Sequence, residues 1–382
     1  MHTKQIKMQA MIKVVDIVYH CHHEYTSPKE VLDKHLPTLG FTKFIKDRVD
    51  YTVVRHLNYE GKETVNGIRY AFFKRRNAPW QIPYKTHRYI NSLNPDIILV
   101  HGFIFPLQVI ALKILLGKRC TVVLQHHADY PANSVRKLFQ KIADKYVNAY
   151  MFTSAAIADP WLDHKIIENK NKIKELAGAS VSVEKKDKFG CKKKLHLSGE
   201  NNFLWVGRLN ENKDPLTILK AFSHYVLANT TAKLLMIYHT EELLAKVKKT
   251  INENDQLRSS VRLVGKIDKT DMAEWYNAAD FFILGSHAEA AGYALLEAMS
   301  VGCIPVVTSI PAFKKVIGNE GIGFLFPPGD EQALIKLLNS LHQINVHQQS
   351  AAVEDYFHKN LSFKNIADGM YDLFMQLNSI QL

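Results

Sequence analysis

The stretch ADFFILGSHAEAAGYALLEAMSVGCIPVVTS, residues 279–309, decides the fold class. Its runs FFILG (281–285) and IPVVTS (304–309) are apolar without strict alternation, the pattern of strands buried on both faces in a parallel sheet covered by helices. Residues 292–301 read as an apolar helix between them, so the stretch is strand, helix, strand. It also carries two glutamates. Glu289 sits on the edge of the small-residue break Ala290, Ala291, Gly292, and Glu297 lies inside the helix that follows.

The same style extends upstream. FLWVG (203–207), KLLMIY (233–238) and VRLVG (261–265) predict strands, with helices over 215–229, 241–252 and 270–278. Earlier still, IKVVDIVY (12–19), YTVVRHL (51–57), DIILV (96–100), TVVLQ (121–125) and AYMFTS (149–154) do the same, with helices over 106–116 and 134–147. Two α/β units follow: a first domain at 1–165, a lysine-rich connection at 166–200, a second domain at 201–355 and a terminal segment at 356–382. In that last segment Phe363, Ile366, Met370, Leu373 and Phe374 recur at helical spacing and need a surface to pack on.

A chain of 382 residues has room for two such cores. Its net charge of +12 is concentrated between residues 165 and 194, around KNKIKELAGASVSVEKKDKFGCKKK, which suits either an anionic partner or a solvated linker. Cys21, Cys120, Cys191 and Cys303 form no Cys-x-x-Cys pair, so neither a zinc knuckle nor a disulfide framework is expected, and a reducing, cytoplasmic setting fits. Asp16 breaks the first apolar run, against a signal peptide. His101, Pro106, Gln108 and Lys113 break the longest apolar stretch, against a membrane span.

Ligands of open α/β sheets collect beyond the carboxyl ends of the strands. Arg208 and Lys213 follow FLWVG, Gly265 ends VRLVG, and Ser286 leads from FFILG into Glu289. The break Ala290, Ala291, Gly292 marks a helix start, where free backbone N–H groups and the dipole favour a phosphate. A carboxylate beside an anion site faces hydroxyl donors rather than the phosphate, because like charges repel. Glu289 is therefore expected to accept from sugar hydroxyls and Glu297 from a ribose, with a diphosphate between them held by Arg208 and Lys213. One nucleotide-sugar would make all these contacts. Taken singly, each residue also reads as an ordinary loop or surface charge; their joint placement at successive strand ends favours the site.

FLWVGRLNENKDPLTILKAF, ADFFILGSHAEAAGYALLEAMSVGCIPVVTSIPAF and GIGFLFPPGD together resemble the retaining glycosyltransferases of GT-B fold known as glycosyl transferases group 1, or family 4. The similarity is dense from about 200 to 330. It implies two Rossmann-like doubly wound domains facing a central cleft, with the C-terminal helix crossing back to the first. It assigns Arg208 and Lys213 to the leaving diphosphate, Glu289 to the donor sugar, Glu297 to the ribose and Gly265 to the base. His127, with His126 as its neighbour, takes the place of a histidine near the donor sugar. Two departures stand out: YHCHHEYTSPKEV replaces the glycine-rich loop after the first strand, and Ala290 replaces a glycine.

The expected chemistry is transfer of a sugar to an acceptor hydroxyl, retaining and, for want of an Asp-x-Asp pair, metal-independent. No cofactor is implied, the nucleotide-sugar being a substrate. The basic charge suits a lipid-linked or membrane-proximal acceptor and a peripheral position at the inner membrane face; a soluble sugar or protein acceptor stays open, and no nucleic-acid partner is expected. The competing reading is a non-catalytic protein binding RNA or anionic lipid through its lysines. A dinucleotide oxidoreductase would need a Gly-x-Gly-x-x-Gly turn after the first strand, which VYHCHHEYTS lacks. In the His20 to Glu24 cluster only His20 and His22 share a strand face, whereas zinc needs three or four convergent ligands.

Overall fold

The computed structural model describes residues 11–74, 80–127, 129–197, 201–289, 292–318 and 321–379. The chain divides into two compact units, Met1–Ser180 with Phe363–Leu382, and Val181–Ser362.

The first unit is built on the strands β1 (Lys13–His22), β2 (Asp50–Leu57), β3 (Gly61–Val65), β4 (Ile68–Lys74), β5 (Ile97–His101), β6 (Thr121–Gln125), β7 (Ala149–Phe152) and β8 (Ile173–Glu175). They lie in the order β3-β4-β2-β1-β5-β6-β7-β8, parallel except for the β3–β4 pair. With β3 set aside, the winding direction reverses between β1 and β5. β3 is absent from the apolar runs because its side chains are mostly exposed. The feature that announces it is Asn66-Gly67, whose φ values of 53° and 83° form the left-handed pair of a two-residue hairpin turn.

The second unit carries β9 (Asn202–Gly207), β10 (Lys233–Tyr238), β11 (Val261–Gly265), β12 (Phe281–Leu284), β13 (Ile304–Thr308) and β14 (Phe324–Phe326). Their order, β11-β10-β9-β12-β13-β14, is parallel throughout. Numbered within the unit this is 3-2-1-4-5-6, the doubly wound nucleotide-binding order, with its reversal between β9 and β12. The apolar runs read from the sequence lie on β1, β2, β5, β6, β7 and β9 to β13, their ends moved by a few residues.

The segment 166–200, read as a connection, has structure of its own. Its first part supplies β8 to the first sheet, and the helix Lys188–Lys194 belongs to the second unit. Its lysines meet acids of that unit: Lys188 and Lys192 reach Asp280 at 2.7 and 3.0 Å, Lys185 reaches Glu354 at 2.6 Å, and Lys194 pairs with Glu274. Much of the basic run is thus neutralised within its own unit.

The terminal helix Phe363–Ser379 packs on the first unit. Phe363, Ile366, Met370 and Phe374 are buried in one cluster with Val14, Phe41 and Tyr51. Full burial of such a side chain is worth about 1.5–3 kcal/mol, enough in sum to fix the helix there. A Cβ at Gly40 would stand 2.4 Å from the Phe363 ring and one at Gly369 would stand 2.6 Å from Leu176, so both glycines permit the close approach.

Candidate active site

In an open α/β sheet the loops at the reversal point leave in opposite directions and frame the ligand crevice; here they are the loops after β9 and β12. The first is held by two caps. Asn210 Oδ1 accepts from Lys213 N at 3.1 Å, and Asp214, left-handed at φ 40°, accepts from Thr217 N at 3.2 Å to cap the helix Pro215–Ala228. The second loop is stapled to the first through Asn212. Its Nδ2 donates to Ala288 O and its Oδ1 accepts from Ala288 N, each at 3.0 Å, while its carbonyl accepts from His287 N at 2.8 Å. Gly285 allows this approach, since a Cβ there would lie 2.9 Å from Asp214 O. Thr308 Oγ1 donates to Ser286 O at 2.5 Å and ties the second loop to the end of β13.

On this clamp Lys213 Nζ pairs with the Glu289 carboxylate, and Ser286 Oγ donates to the same oxygen, Oε1, at 2.8 Å. Lys213 and Glu289 are both largely covered by protein. Arg208, the first residue after β9, is exposed, and its guanidinium has no ion pair or hydrogen bond among the described residues. The reversal point therefore presents a fixed carboxylate, a hydroxyl and two cations, one of them without a protein anion.

The other residues named from the sequence make no hydrogen bond or ion pair with that cluster among the described residues. Glu297, on the helix Tyr293–Met299, accepts from Tyr276 OH at 2.8 Å, and burial raises its carboxyl above the usual range. Gly265 closes β11 at φ 82° with open space where a Cβ would point. Gly292, at φ 63°, is the N-cap of the Glu297 helix, and a Cβ there would stand 3.0 Å from the Phe313 ring. Ala290 and Ala291 lie outside the described residues.

In the first unit His127 is exposed, and its Nε2 lies 2.7 Å from His101 Nδ1. The His101 Nε2 lies in turn 2.9 Å from Asp16 Oδ1, off the line of a good hydrogen bond. Asp16, fully buried in β1, also takes Arg55 Nη1 at 2.7 Å and Tyr51 OH at 2.9 Å. Burial alone would raise the Asp16 carboxyl, but Arg55 and His101 outweigh it and hold the group far below the ordinary carboxylate range. Crowding by protein, reinforced by His101, pushes His127 down to about 3, so its ring is neutral at physiological pH. His126 turns away from this chain and stacks on Phe152, with ring centroids 4.8 Å apart.

Asp16, Arg55 and His101 were not read as site residues from the sequence. The available signal was a charge inside each of two apolar strand runs, DIVY and VVRHL, where a buried parallel strand tolerates a charge only if it is paired. In the His20 to Glu24 cluster, the His20 and His22 rings are 4.9 Å apart and His22 Nδ1 lies 3.2 Å from Glu24, with the His35 ring 5.0 Å from His22. Among the described residues no group of three or more His, Cys, Asp or Glu is arranged to hold a metal ion.

Residues 188–355, which contain the whole of this cluster, match the family model described as glycosyl transferases group 1. The match spans 168 of the chain's 382 residues. The chain is 29% identical over 291 residues to the amylovoran biosynthesis glycosyltransferase AmsK of Erwinia amylovora, an alignment covering 72% of this chain and 69% of that one. It is 25% identical over 236 residues to the GDP-mannose:cellobiosyl-diphosphopolyprenol alpha-mannosyltransferase of Xanthomonas campestris, covering 60% of each. Among solved structures, Anabaena Alr3699/HepE in complex with UDP superposes with a TM-score of 0.69 at 13% identity, covering 96% of this chain and 100% of that one. The two parallel-sheet units and the returning helix are those of the GT-B fold.

Proposed function

We propose that this glycosyltransferase moves a hexose from a nucleoside-diphosphate sugar to an acceptor hydroxyl, with the anomeric configuration retained. The observation that carries the proposal is the Lys213, Glu289 and Ser286 cluster at the reversal of a nucleotide-binding sheet, beside an unpaired Arg208. The barrier to transfer lies in departure of the diphosphate as the sugar becomes oxocarbenium-like, so fixed positive charge at the leaving oxygens is the main lever. Arg208 and Lys213 supply it. Glu289, held by Lys213 and Ser286, accepts from the sugar hydroxyls and orients the ring. Glu297 meets the ribose, and Gly265, Gly292 and the Ala290-Ala291 break let backbone approach the nucleotide.

The acceptor attacks from the face the diphosphate leaves, and the diphosphate takes its proton. No cofactor is required, and with no Asp-x-Asp pair in the chain the reaction proceeds without a divalent ion. A lipid-linked acceptor is favoured by the diphosphopolyprenol substrate named for the Xanthomonas relative and by the net charge of +12. No helix among the described residues is long and apolar enough to cross a membrane. The net charge of +12 suits a place in the cytoplasm, attached peripherally to the inner membrane face. The reading as an RNA-binding protein loses its main support, because the lysines of 185–194 largely meet acids of their own unit.

The test is a panel of UDP-, GDP- and ADP-sugars read by thermal shift and slow donor hydrolysis, with and without chelator. One base should raise Tm and be hydrolysed with chelator present; Glu289→Ala and Arg208→Ala should lose the hydrolysis. If no nucleotide-sugar raises Tm, the proposal fails.

A further inference from the structure

The helix Ser134–Asp144 of the first unit is inside out. Gln140 and Asp144 are buried and bonded inward: Gln140 Nε2 donates to Phe103 O at 2.7 Å, its Oε1 accepts from Ala132 N at 3.0 Å, and Asp144 accepts from Tyr150 OH at 2.8 Å. Ala143 is buried with them, but the larger aliphatic side chains point the other way. Val135 is 61% and Leu138 57% exposed, and Ile142, one turn beyond Leu138, is half-buried on the same side. A surface helix ordinarily turns its apolar stripe to the core and its polar residues to water. Reversal of that order leaves apolar surface with no cover from its own unit.

The neighbouring helix Pro106–Leu116, packed against it, extends the feature. It has apolar residues on nearly every side and exposes Ile114 at 67%. Trp80 lies close by, 53% exposed, with its ring 6.1 Å from Phe139 and 5.9 Å from the Arg136 guanidinium. Between residues 102 and 148 the chain has seven bases, Lys113, Lys118, Arg119, Arg136, Lys137, Lys141 and Lys145, against two acids. Both acids are turned inward: Asp144 as above, and Asp129, whose Oδ2 accepts from Phe103 N at 2.9 Å. Lys137 and Lys141, four apart, flank the apolar crest on one side of the helix.

We propose that these two helices are the face by which the protein lies on an anionic lipid bilayer, Val135, Leu138 and Ile114 entering the headgroup boundary while the flanking lysines meet lipid phosphates. The proposal rests on the reading of a membrane-proximal acceptor given above and names the surface that reaches it. An apolar crest rimmed by lysine and arginine, with aromatic residues at its edge, is the pattern of a helix lying in the interface plane. A second copy would bring lysines against lysines across a two-fold axis, and like charges facing each other oppose docking. Nucleic acid would use the lysines and leave the crest against phosphate.

The test is flotation of the full chain with vesicles of phosphatidylcholine alone or mixed with phosphatidylglycerol. The protein should float with the mixed vesicles, not with phosphatidylcholine alone, and binding should fall as salt rises. Val135→Glu with Leu138→Glu should abolish it at every salt concentration. Lys137→Gln with Lys141→Gln should lower the partition by roughly thirtyfold, each lysine near an anionic surface being worth about fivefold. These positions are exposed, so circular dichroism and nucleotide-sugar hydrolysis should match wild type; hydrolysis reads the donor site separately, and its failure alone would leave the docking face standing. Wild type that ignores anionic vesicles overturns the inference. So does a glutamate variant that still floats, or a self-association that the glutamates abolish in the absence of lipid.

Discussion

The two units share a winding pattern and use its reversal point differently. In the second unit the loops after β9 and β12 carry Arg208, Lys213, Ser286 and Glu289; Arg208 is exposed, while Lys213 and Glu289 pair with each other and are largely covered. In the first unit the corresponding strands, β1 and β5, contribute Asp16 and His101 themselves, and the charges are buried with Arg55 between two layers of apolar side chains. One topology thus supports two electrostatic designs. Among the loop charges, Arg208 meets no protein anion among the described residues and is open to a ligand. Strand charges must satisfy one another, and only the end of their chain, His127, reaches the surface.

That contrast predicts a double dissociation between stability and turnover. The largest effect belongs to Asp16→Ala, which leaves the Arg55 guanidinium buried without its carboxylate. Breaking a buried pair from one side costs roughly 3–5 kcal/mol. Urea or thermal unfolding of the first unit should show that loss. If Asp16→Ala unfolds like wild type, the strand charges are not the structural element described here. The pH dependence follows from the same group: its folded carboxyl lies below its unfolded value, so its contribution is present above about pH 4 and fades as pH falls.

Next in size is the opposite case. Lys213→Ala and Glu289→Ala touch a loop pair and should leave Tm within a degree or two, while turnover falls by roughly a hundred- to a thousandfold, the range for removing one charge-stabilising contact at a reacting centre. Single-turnover rates with the donor found by the panel would measure it. A Glu289→Ala protein with full turnover would erase the distinction between the two reversal points.

The same contrast explains what could be read in advance. The parallel strands β1, β2, β5 to β7 and β9 to β13 were legible because burial on both faces forces an unbroken apolar run, whereas the parallel strands β4, β8 and β14 were not read; the donor-site candidates stood out because polar residues at loop positions directly after such runs have few structural reasons to be there. β3 was not legible by that route, since its exposed side chains carry no run, although Asn66-Gly67 marks its turn. The Asp16, Arg55 and His101 network escaped because it is a tertiary pairing: Asp16 and Arg55 are 39 residues apart, and only the parallel β1–β2 register brings them together. The pairing of Lys213 with Glu289 was missed for the same reason; the sequence places both at strand ends, but only the Asn212 clamp sets them in contact.

A smaller effect separates His127 from the buried residues behind it. Its folded pKa, about 3, lies below the ordinary imidazole value, so the unfolded chain binds the proton first as pH drops. Its contribution is complete above about pH 6.5 and is lost progressively toward pH 3. His127→Gln should therefore flatten the upper part of the acid limb of a Tm-against-pH curve and leave the part below pH 4, which belongs to Asp16, in place. An unchanged upper limb would mean that His127 meets water more freely than its crowding by His101 and the surrounding chain implies.

The smallest expected change is at Gly292. Its φ of 63° is left-handed, and a methyl group there would also press on the Phe313 ring at 3.0 Å. Alanine in that conformation costs about 1 kcal/mol through the backbone alone. Gly292→Ala should lower Tm by a few degrees, a modest structural cost next to Asp16→Ala. Because this glycine also starts the helix that carries Glu297, the KM for the nucleotide-sugar should rise more than kcat falls: the substitution shifts how closely backbone meets the nucleotide, whereas Lys213 and Glu289 act on the departing group. A fall in kcat as deep as that of Glu289→Ala, with KM unchanged, would instead place the Gly292 turn at the reacting centre and blur the line between nucleotide binding and transfer within the second unit.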